Sequence, residues 1–207
     1  MPSKSYDKFK KTIARCEDLV RTFEILHLAN SSNANIPAPR DIIRGAVVLS
    51  VSAFDAYVTD VFTEKLVNYL KRHTPDDDLI DFLREAGLGT REALTLINME
   101  RPYRRIRNMV QAKYSTYTTQ RFDVVDAFFL HYRLQGITAS AESMSGRKTL
   151  KRSVGLLIAR RHDIAHDGDY NGHGRIKVIR EDLIKKRIKD LELLVSCMDQ
   201  IICNRIR

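Results

Sequence analysis

An all-α fold is predicted by three features of the 207-residue sequence. Apolar residues recur at steps of three and four, which places them on one face of an α-helix. The strict alternation of apolar and polar residues that marks a half-buried strand is nearly absent. Gly, Pro, Asn and Ser divide the helical pattern into long and short segments. The sequence therefore predicts an antiparallel helical bundle with additional short helices.

The first two predicted helices are long. One covers about residues 5–29, where apolar side chains step along a single face. Residues 30–39, rich in Asn, Ser, Ala and Pro, are predicted to form a loop. The second helix is predicted to begin at Asp41, taken as its N-cap, and to end near Arg72. Because this helix is apolar nearly all round, we expect it to be the buried spine of the bundle.

Shorter elements are predicted in the middle of the chain. Asp76 and the acids after it suit a helix start, and Pro102 suits a first helical turn. We predict a helix over residues 77–86, one from Thr90 to about Met99, one that begins at Pro102, one over residues 121–134, and a flexible loop over residues 136–146.

The last two predicted helices are again long. The penultimate one covers about residues 147–166 and has one apolar stripe, which comprises Leu150, Val154, Leu157, Ile158 and Ala165. Arg161 falls on the same stripe, so we expect its guanidinium to face the core. The final helix, over about residues 181–205, has apolar residues at alternating steps of four and three, a seam suited to packing in a bundle or against a second subunit.

Composition limits the classes of protein that fit. The chain has 35 Lys and Arg against 26 Asp and Glu, a formal charge of +9, which favours a polyanionic partner. Three cysteines without a CxxC spacing suggest neither a disulfide framework nor a zinc ribbon. We find no signal-peptide pattern and no run of ~18 apolar residues. We therefore expect one soluble, cytoplasmic domain over residues 1–207, without a membrane partner.

Residues 160–169 carry the strongest chemical signal. This segment holds two arginines, two histidines and three acids, with Arg161 five residues before His166. An arginine can bind a phosphate while a histidine removes the proton of a ribose 2′-hydroxyl or protonates the leaving 5′-oxygen. The substrate of such a pair is RNA, because DNA lacks the 2′-hydroxyl.

One straight helix cannot bring Arg161 and His166 to the same atom. The two side chains point ~140° apart and are separated by ~7.5 Å along the axis. They could converge if the helix unwinds at His166, beside Gly168, or if two copies of the helix meet about a two-fold axis. The second possibility predicts a homodimer.

Asp55 is a further candidate residue in the spine helix. A carboxylate on this apolar helix is costly unless it is paired. Arg161 is the expected partner, and our hypothesis is that Asp55 holds Arg161 in position. A purely structural ion pair, or an acid on a semi-exposed face, is the alternative.

Basic residues surround the charged segment. The predicted RNA contacts are Arg147, Lys151, Arg152, Arg160, Tyr170 and Asn171. A second basic face with interleaved tyrosines, over residues 101–117 and including Tyr103, Tyr114 and Tyr117, either binds single-stranded RNA or is merely solvated, and both alternatives remain open. Such clusters also suit a non-catalytic RNA-binding or adaptor module, and this alternative remains open.

Metal-dependent hydrolysis is another alternative. His162, Asp163, His166 and Asp167 are similar to the HDxxHD string of HD-type phosphohydrolases, and His162 and His166 share one helix face. That family also needs ligands from other helices, and this sequence has no second His-Asp pair. We therefore expect no metal and no cofactor.

The Arg-x4-His motif at Arg161 to His166 occurs in an all-α chain with a long final helix. In these features the sequence resembles a HEPN domain, and the RiboL-PSP-HEPN type is the most similar. The second helix of that type resembles residues 49–58, although relatives commonly have Glu where this chain has Asp55. The resemblance implies a homodimeric, metal-independent RNA endonuclease that leaves 2′,3′-cyclic phosphate ends. Arg161 and His166 would be its catalytic pair and His162 a polar accessory. It further implies a toxin–antitoxin or phage-defence setting, with an antitoxin or another regulatory partner.

Overall fold

A computed structural model describes residues 1–30, 39–114 and 119–206. These residues form helices and no strand, so the all-α prediction is confirmed. The helices are α1 (Lys4–Asn30), α2 (Asp41–Arg72), α3 (Asp77–Glu85), α4 (Thr90–Ile97), α5 (Pro102–Tyr114), α6 (Phe122–Leu130), α7 (Ile137–Met144), α8 (Leu150–Asp167) and α9 (Glu181–Arg205). The predicted loop at residues 30–39 and the predicted contact residue Tyr117 lie largely or wholly outside the described residues.

Helix α2 is the buried spine, as predicted. It packs against α1, α5, α8 and α9. Its residues Val51, Phe54, Val58 and Phe62 are completely buried. At ~1.5–3 kcal/mol for each large apolar side chain removed from water, this helix contributes much of the hydrophobic stabilisation.

The length and composition of α2 also meet the criteria for a membrane-spanning helix, contrary to the sequence prediction. Half of the apolar window that meets them is buried inside the structure. A core helix of a soluble protein meets the same criteria, and the packing of α2 against four other helices fits that description.

Helix α8 is fixed against α2, α7 and α9 through the first part of its apolar stripe. Leu150, Val154 and Leu157 are completely buried. Ala165, which was predicted to lie on the same buried stripe, is exposed. The reason is that the last turn of α8 extends past the core, so position on the stripe no longer implies burial.

Two further local predictions are wrong. Residues 136–146 contain helix α7 where we predicted a flexible loop. Tertiary contacts stabilise this helix, because Asp126 accepts hydrogen bonds of 2.8 Å from the N–H and the hydroxyl of Thr138. Ile137, at the start of the helix, is buried. Asp41 is the first helical residue of α2 and not its N-cap, which is Arg40. Asp76, in contrast, caps α3 by accepting a hydrogen bond from the Leu79 N–H at 3.1 Å.

Candidate functional site

Helix α8 stays unbroken through the segment that carries the arginines and histidines. It ends at Asp167, and Gly168 follows with a φ of 61° and donates its N–H to the Asp163 carbonyl. Helical geometry therefore keeps Arg161 and His166 ~140° apart around the axis. Unwinding at His166, the first predicted route to convergence, does not occur in this structure.

Arg161 lies on the inward side of α8, one turn beyond the buried Leu157. Its side chain is half-buried, and its Nε atom is buried without a hydrogen-bond partner among the described residues. A buried N–H of a charged group costs free energy when it has no acceptor. Residues 1–30, 39–114 and 119–206 supply no acceptor for this N–H.

His162 and His166 lie on the opposite, exposed side of α8. Their ring centroids are 4.5 Å apart, and the ring planes are inclined by 39°. Exposure leaves the His166 ring open to a substrate and to a second protein chain. The structure thus brings the two histidines together and directs Arg161 away from both.

Asp55 does not contact Arg161, so the predicted pairing is wrong. Its carboxylate accepts hydrogen bonds from the Thr119 N–H at 2.6 Å, the Thr119 hydroxyl at 2.5 Å and the Gln120 amide at 3.4 Å. Arg161 forms no ion pair within the part of the chain that the structure describes. The Asp55 carboxylate is bound by the segment that leads into α6, and this contact takes the place of the predicted pair with Arg161.

Arg160 is part of a buried ion cluster. Its Nη2 atom lies 2.7 Å from Oδ2 of Asp169 and 3.3 and 3.2 Å from the carbonyls of Lys177 and Val178. Arg44, on α2, donates from Nε to the same Asp169 oxygen at 2.7 Å. These donors hold the loop after α8 in place, and the predicted contact of Arg160 with RNA stays a prediction.

Sequence reasoning missed the roles of Arg44 and Asp169. Asp169 is completely buried and has a φ of 63°, a left-handed conformation that Asp tolerates better than most residues. Its position directly after Gly168, which terminates α8, was the sequence feature that could have identified it. Arg44 offered none, because its partner lies 125 positions away in the sequence.

The loop after α8 turns back on itself as a short hairpin over residues 169–177. Tyr170 and Ile176 form an isolated antiparallel β-bridge, and the Asn171 N–H donates to the Arg175 carbonyl at 2.8 Å. Oδ1 of Asn171 accepts hydrogen bonds from the N–H groups of His173 and Arg175, so this oxygen is used within the turn. Tyr170 is half-exposed at the end of α8 and remains a predicted RNA contact.

The other predicted RNA-binding residues differ in availability. Arg147 forms an ion pair with the buried Asp190 at 2.5 Å, although its side chain is 43% exposed. The ammonium of Lys151 lies 5.3 Å from the centre of the Phe122 ring. Arg152 is exposed and lines a groove between α8 and α9, where Lys186 and Arg187 are the other cations. Arg152, Lys186 and Arg187 form no ion pair within residues 119–206, so their charges are the most available to phosphates.

Asp163 belongs to the structural contacts of this region. Its Oδ2 atom lies 2.7 Å from the ammonium of Lys177, and that hydrogen bond lowers the pKa of Asp163. Among the described residues, no group of three or more His, Cys, Asp or Glu side chains is placed to hold a metal ion. The proposed ligand set around His162 and His166 therefore gains no support from other helices.

The second predicted RNA-binding face, on α5, is also changed by the structure. Tyr114 is buried and stacks on Phe82 with ring centroids 4.9 Å apart, so it belongs to the core. Arg105 is paired with Glu92 at 3.0 Å. Tyr103 remains exposed, with the Lys71 ammonium over its ring.

Comparisons with known proteins give one match. The model of the family described as RiboL-PSP-HEPN matches residues 10–204, which is almost the whole chain. No curated protein matches the sequence, and no solved structure does.

Proposed function

Since the chain belongs to the RiboL-PSP-HEPN family, we propose that it is a metal-independent endoribonuclease whose site is shared between two copies of the chain. Arg161 binds the scissile phosphate and His166 transfers protons. HEPN domains are often ribonucleases, so the family is consistent with this chemistry, and the arrangement of α8 provides the specific residues.

The unpaired guanidinium of Arg161 is the observation that carries this proposal. Arg44, Arg147 and Arg160 are all engaged with buried carboxylates. Arg161 alone among these four has no acceptor in the described chain, and its Nε atom is buried. A phosphate would supply the missing acceptor through charge-assisted hydrogen bonds.

The need for a second copy follows from the continuous α8 helix. Arg161 and His166 of one chain point to different sides of the helix, so they cannot contact the same phosphate. Two copies related by a two-fold axis can pair Arg161 of one with His166 of the other. Exposed apolar residues of the loop after α8, Ile176 and Val178, support a surface that a second copy covers.

The reaction is an internal transfer at phosphorus. One His166 removes the proton of the ribose 2′-hydroxyl, and the 2′-oxygen bonds to the phosphorus. The bond from phosphorus to the 5′-oxygen breaks, and the same His166, now protonated, donates its proton to that oxygen. Arg161 stabilises the negative charge that develops on the phosphoryl oxygens. The products are a 2′,3′-cyclic phosphate and a 5′-hydroxyl, and the steps require neither a metal nor a cofactor.

The exposed cations Arg152, Lys186 and Arg187 are suited to the flanking phosphates of the same RNA strand. Their groove begins near the start of α8, so a bound strand would run along that helix. Regulation by an antitoxin or another partner, in a toxin–antitoxin or phage-defence setting, belongs to the same proposal.

The test is cleavage of end-labelled RNA by the purified chain in excess EDTA. We expect cleavage to persist in EDTA, to yield cyclic phosphate ends, and to disappear in Arg161→Ala and His166→Ala. His27→Ala, a change of an exposed histidine on α1, is the matched control and should keep full activity. Cleavage that EDTA abolishes would overturn the mechanism, and equal residual cleavage in both site variants would reveal a contaminant.

The same variants separate catalysis from RNA binding. If the wild-type chain binds RNA with strong salt dependence but never cleaves it, the protein is a non-catalytic RNA-binding module. If His166→Ala binds RNA as tightly as the wild type while cleavage is lost, the ribonuclease proposal is supported.

A further inference from the structure

The hairpin after α8 is held rigidly to the body of the protein. Asp169 at its base is completely buried, and both Arg44 and Arg160 donate to its Oδ2 atom at 2.7 Å. Arg44 also donates to the Lys177 carbonyl at 2.8 Å, on the returning side of the hairpin. Two arginines from different helices, α2 and α8, thus fix both sides of the hairpin.

Backbone hydrogen bonds connect the two sides of the hairpin beyond Asp169. The Lys177 N–H donates to the Asp169 carbonyl at 2.7 Å, and the Tyr170–Ile176 bridge follows. Arg40 adds a hydrogen bond of 2.7 Å to the Ile179 carbonyl. The position of Tyr170 is therefore set by the buried cluster and the paired backbone.

The ring of Tyr170 covers the end of α8. A Cβ atom placed on Gly168 would lie 3.1 Å from Cε2 and 3.2 Å from Cδ2 of Tyr170, so the ring packs directly on the glycine backbone. Gly168 stands two residues after His166 in the sequence. Packing on one side leaves the residue 51% exposed, so the aromatic ring remains open to a ligand at the end of the candidate catalytic helix.

From this arrangement we infer that Tyr170 stacks on an unpaired nucleobase of the RNA substrate, next to the scissile phosphate. The inference rests on the proposed ribonuclease function and adds to it a substrate class, RNA whose bases are unpaired at the cleavage point. A base within a duplex is already stacked on its neighbours and cannot present its face to a tyrosine. A single-stranded base can, and stacking on a ring that is already ordered avoids the entropy cost of fixing it.

The charge of the hairpin fits this partner. Arg175 and His173 at its tip are exposed, and neither forms an ion pair within residues 119–206. A cation beside an aromatic ring matches the alternation of phosphate and base along a single strand.

The experiment uses the full chain with His166→Ala, which removes the proposed proton transfer, and an RNA oligonucleotide with a single 2-aminopurine. The fluorescence of this base falls when it stacks on an aromatic ring. We expect quenching on binding to single-stranded RNA, retained in Tyr170→Phe and lost in Tyr170→Leu, with roughly tenfold weaker binding for the latter.

The matched control is Ile97→Ala, which removes an exposed apolar side chain from α4 and should leave quenching unchanged. The oligonucleotide annealed to its complement should show no dependence on Tyr170. If Tyr170→Leu binds the RNA as tightly and quenches 2-aminopurine as strongly as the chain with Tyr170, the inference is overturned. Dissociation of a dimer by Tyr170→Leu without a change in RNA binding per subunit would also overturn it and would assign the ring to the subunit interface.

Failure of this inference is distinguishable from failure of the proposed function. Cleavage by the chain that has His166, with no effect of Tyr170→Leu, removes the stacking role and leaves the nuclease. Quenching that depends on Tyr170, without cleavage by that same chain, supports the stacking role and removes the nuclease.

Discussion

Nε of Arg44 lies 2.7 Å from Oδ2 of Asp169, and this contact joins the spine helix to the loop that follows the candidate catalytic helix. The Asp169 side chain is completely buried, while that of Arg44 is 11% exposed. The contact anchors the hairpin after α8 to the body of the protein. The arginines of this region differ in role, since Arg44 and Arg160 are paired with Asp169 and Arg161 has no ion pair among the described residues.

Asp169→Asn should strongly destabilise the fold. Asn has the same shape and tolerates the left-handed backbone, so the change removes only the charge that compensates two guanidinium groups. Loss of one partner of a buried ion pair costs about 3–5 kcal/mol in the free energy of unfolding. Urea unfolding measures this directly. The control is Asp182→Asn in the exposed pair with Arg180, which should change little; equal effects of the two substitutions would show that burial of Asp169 is unimportant.

Asp55→Ala should lower stability without a specific effect on catalysis. The buried Thr119 N–H would lose its acceptor, at a cost of about 1–3 kcal/mol, while the Thr119 hydroxyl would keep the Asp55 backbone carbonyl as an acceptor at 3.2 Å. Asp55→Asn should cost less, because one amide oxygen can still accept the N–H. We expect RNA cleavage per folded molecule to stay unchanged in both variants, measured well below their melting temperatures. A loss of cleavage in fully folded Asp55→Asn would instead restore the hypothesis that Asp55 positions Arg161.

Lys177→Met should weaken the fold at neutral pH and make little difference in acid. The hydrogen bond from Lys177 lowers the pKa of Asp163 in the folded state, so the pair contributes stability above the unfolded-state pKa of about 3.9 and loses it as pH falls through the lower folded value. The contribution is small, because both side chains are about a third exposed and solvent screens the pair.

Two measurements check the effect of Lys177. The difference in unfolding midpoint between wild type and Lys177→Met should be constant above about pH 5 and should shrink below about pH 4. A carbon NMR titration should show the pKa of Asp163 rising toward its ordinary value in the variant. A stability difference that grows as the pH falls would contradict the assigned role of this hydrogen bond.

Periodicity in the sequence was enough to predict the features that depend on a single helix. Leu150, Val154 and Leu157 define the buried face of α8, and the same spacing correctly placed Arg161 on the inward side. The 140° separation from His166 also follows from helix geometry alone. These predictions hold because neither depends on which other helix packs against α8.

Pairings between distant residues could not be predicted in the same way. Asp55 was assigned to Arg161 as the nearest plausible charge, but the structure gives it Thr119 and Gln120, which sequence patterns do not mark as partners. The α7 helix was missed for a similar reason, since Asp126 stabilises its start from another element. The partner of a polar side chain depends on how helices pack, and periodicity determines only which face is buried.

The shared site makes a prediction about mixed dimers. Arg161→Ala and His166→Ala are each expected to be inactive, yet a dimer with one chain of each type retains one site in which Arg161 and His166 are intact on opposite copies. When equal amounts of the two variants exchange subunits freely, half of the dimers contain one chain of each variant. Each of these mixed dimers has one intact site out of two, so about a quarter of the wild-type rate should return. The measurement is RNA cleavage after the two variants are unfolded and refolded together, compared with each refolded alone. If the mixture is no more active than its components, although mass analysis of differently tagged chains shows mixed dimers, the site does not pair one Arg161 with one His166 across the two copies.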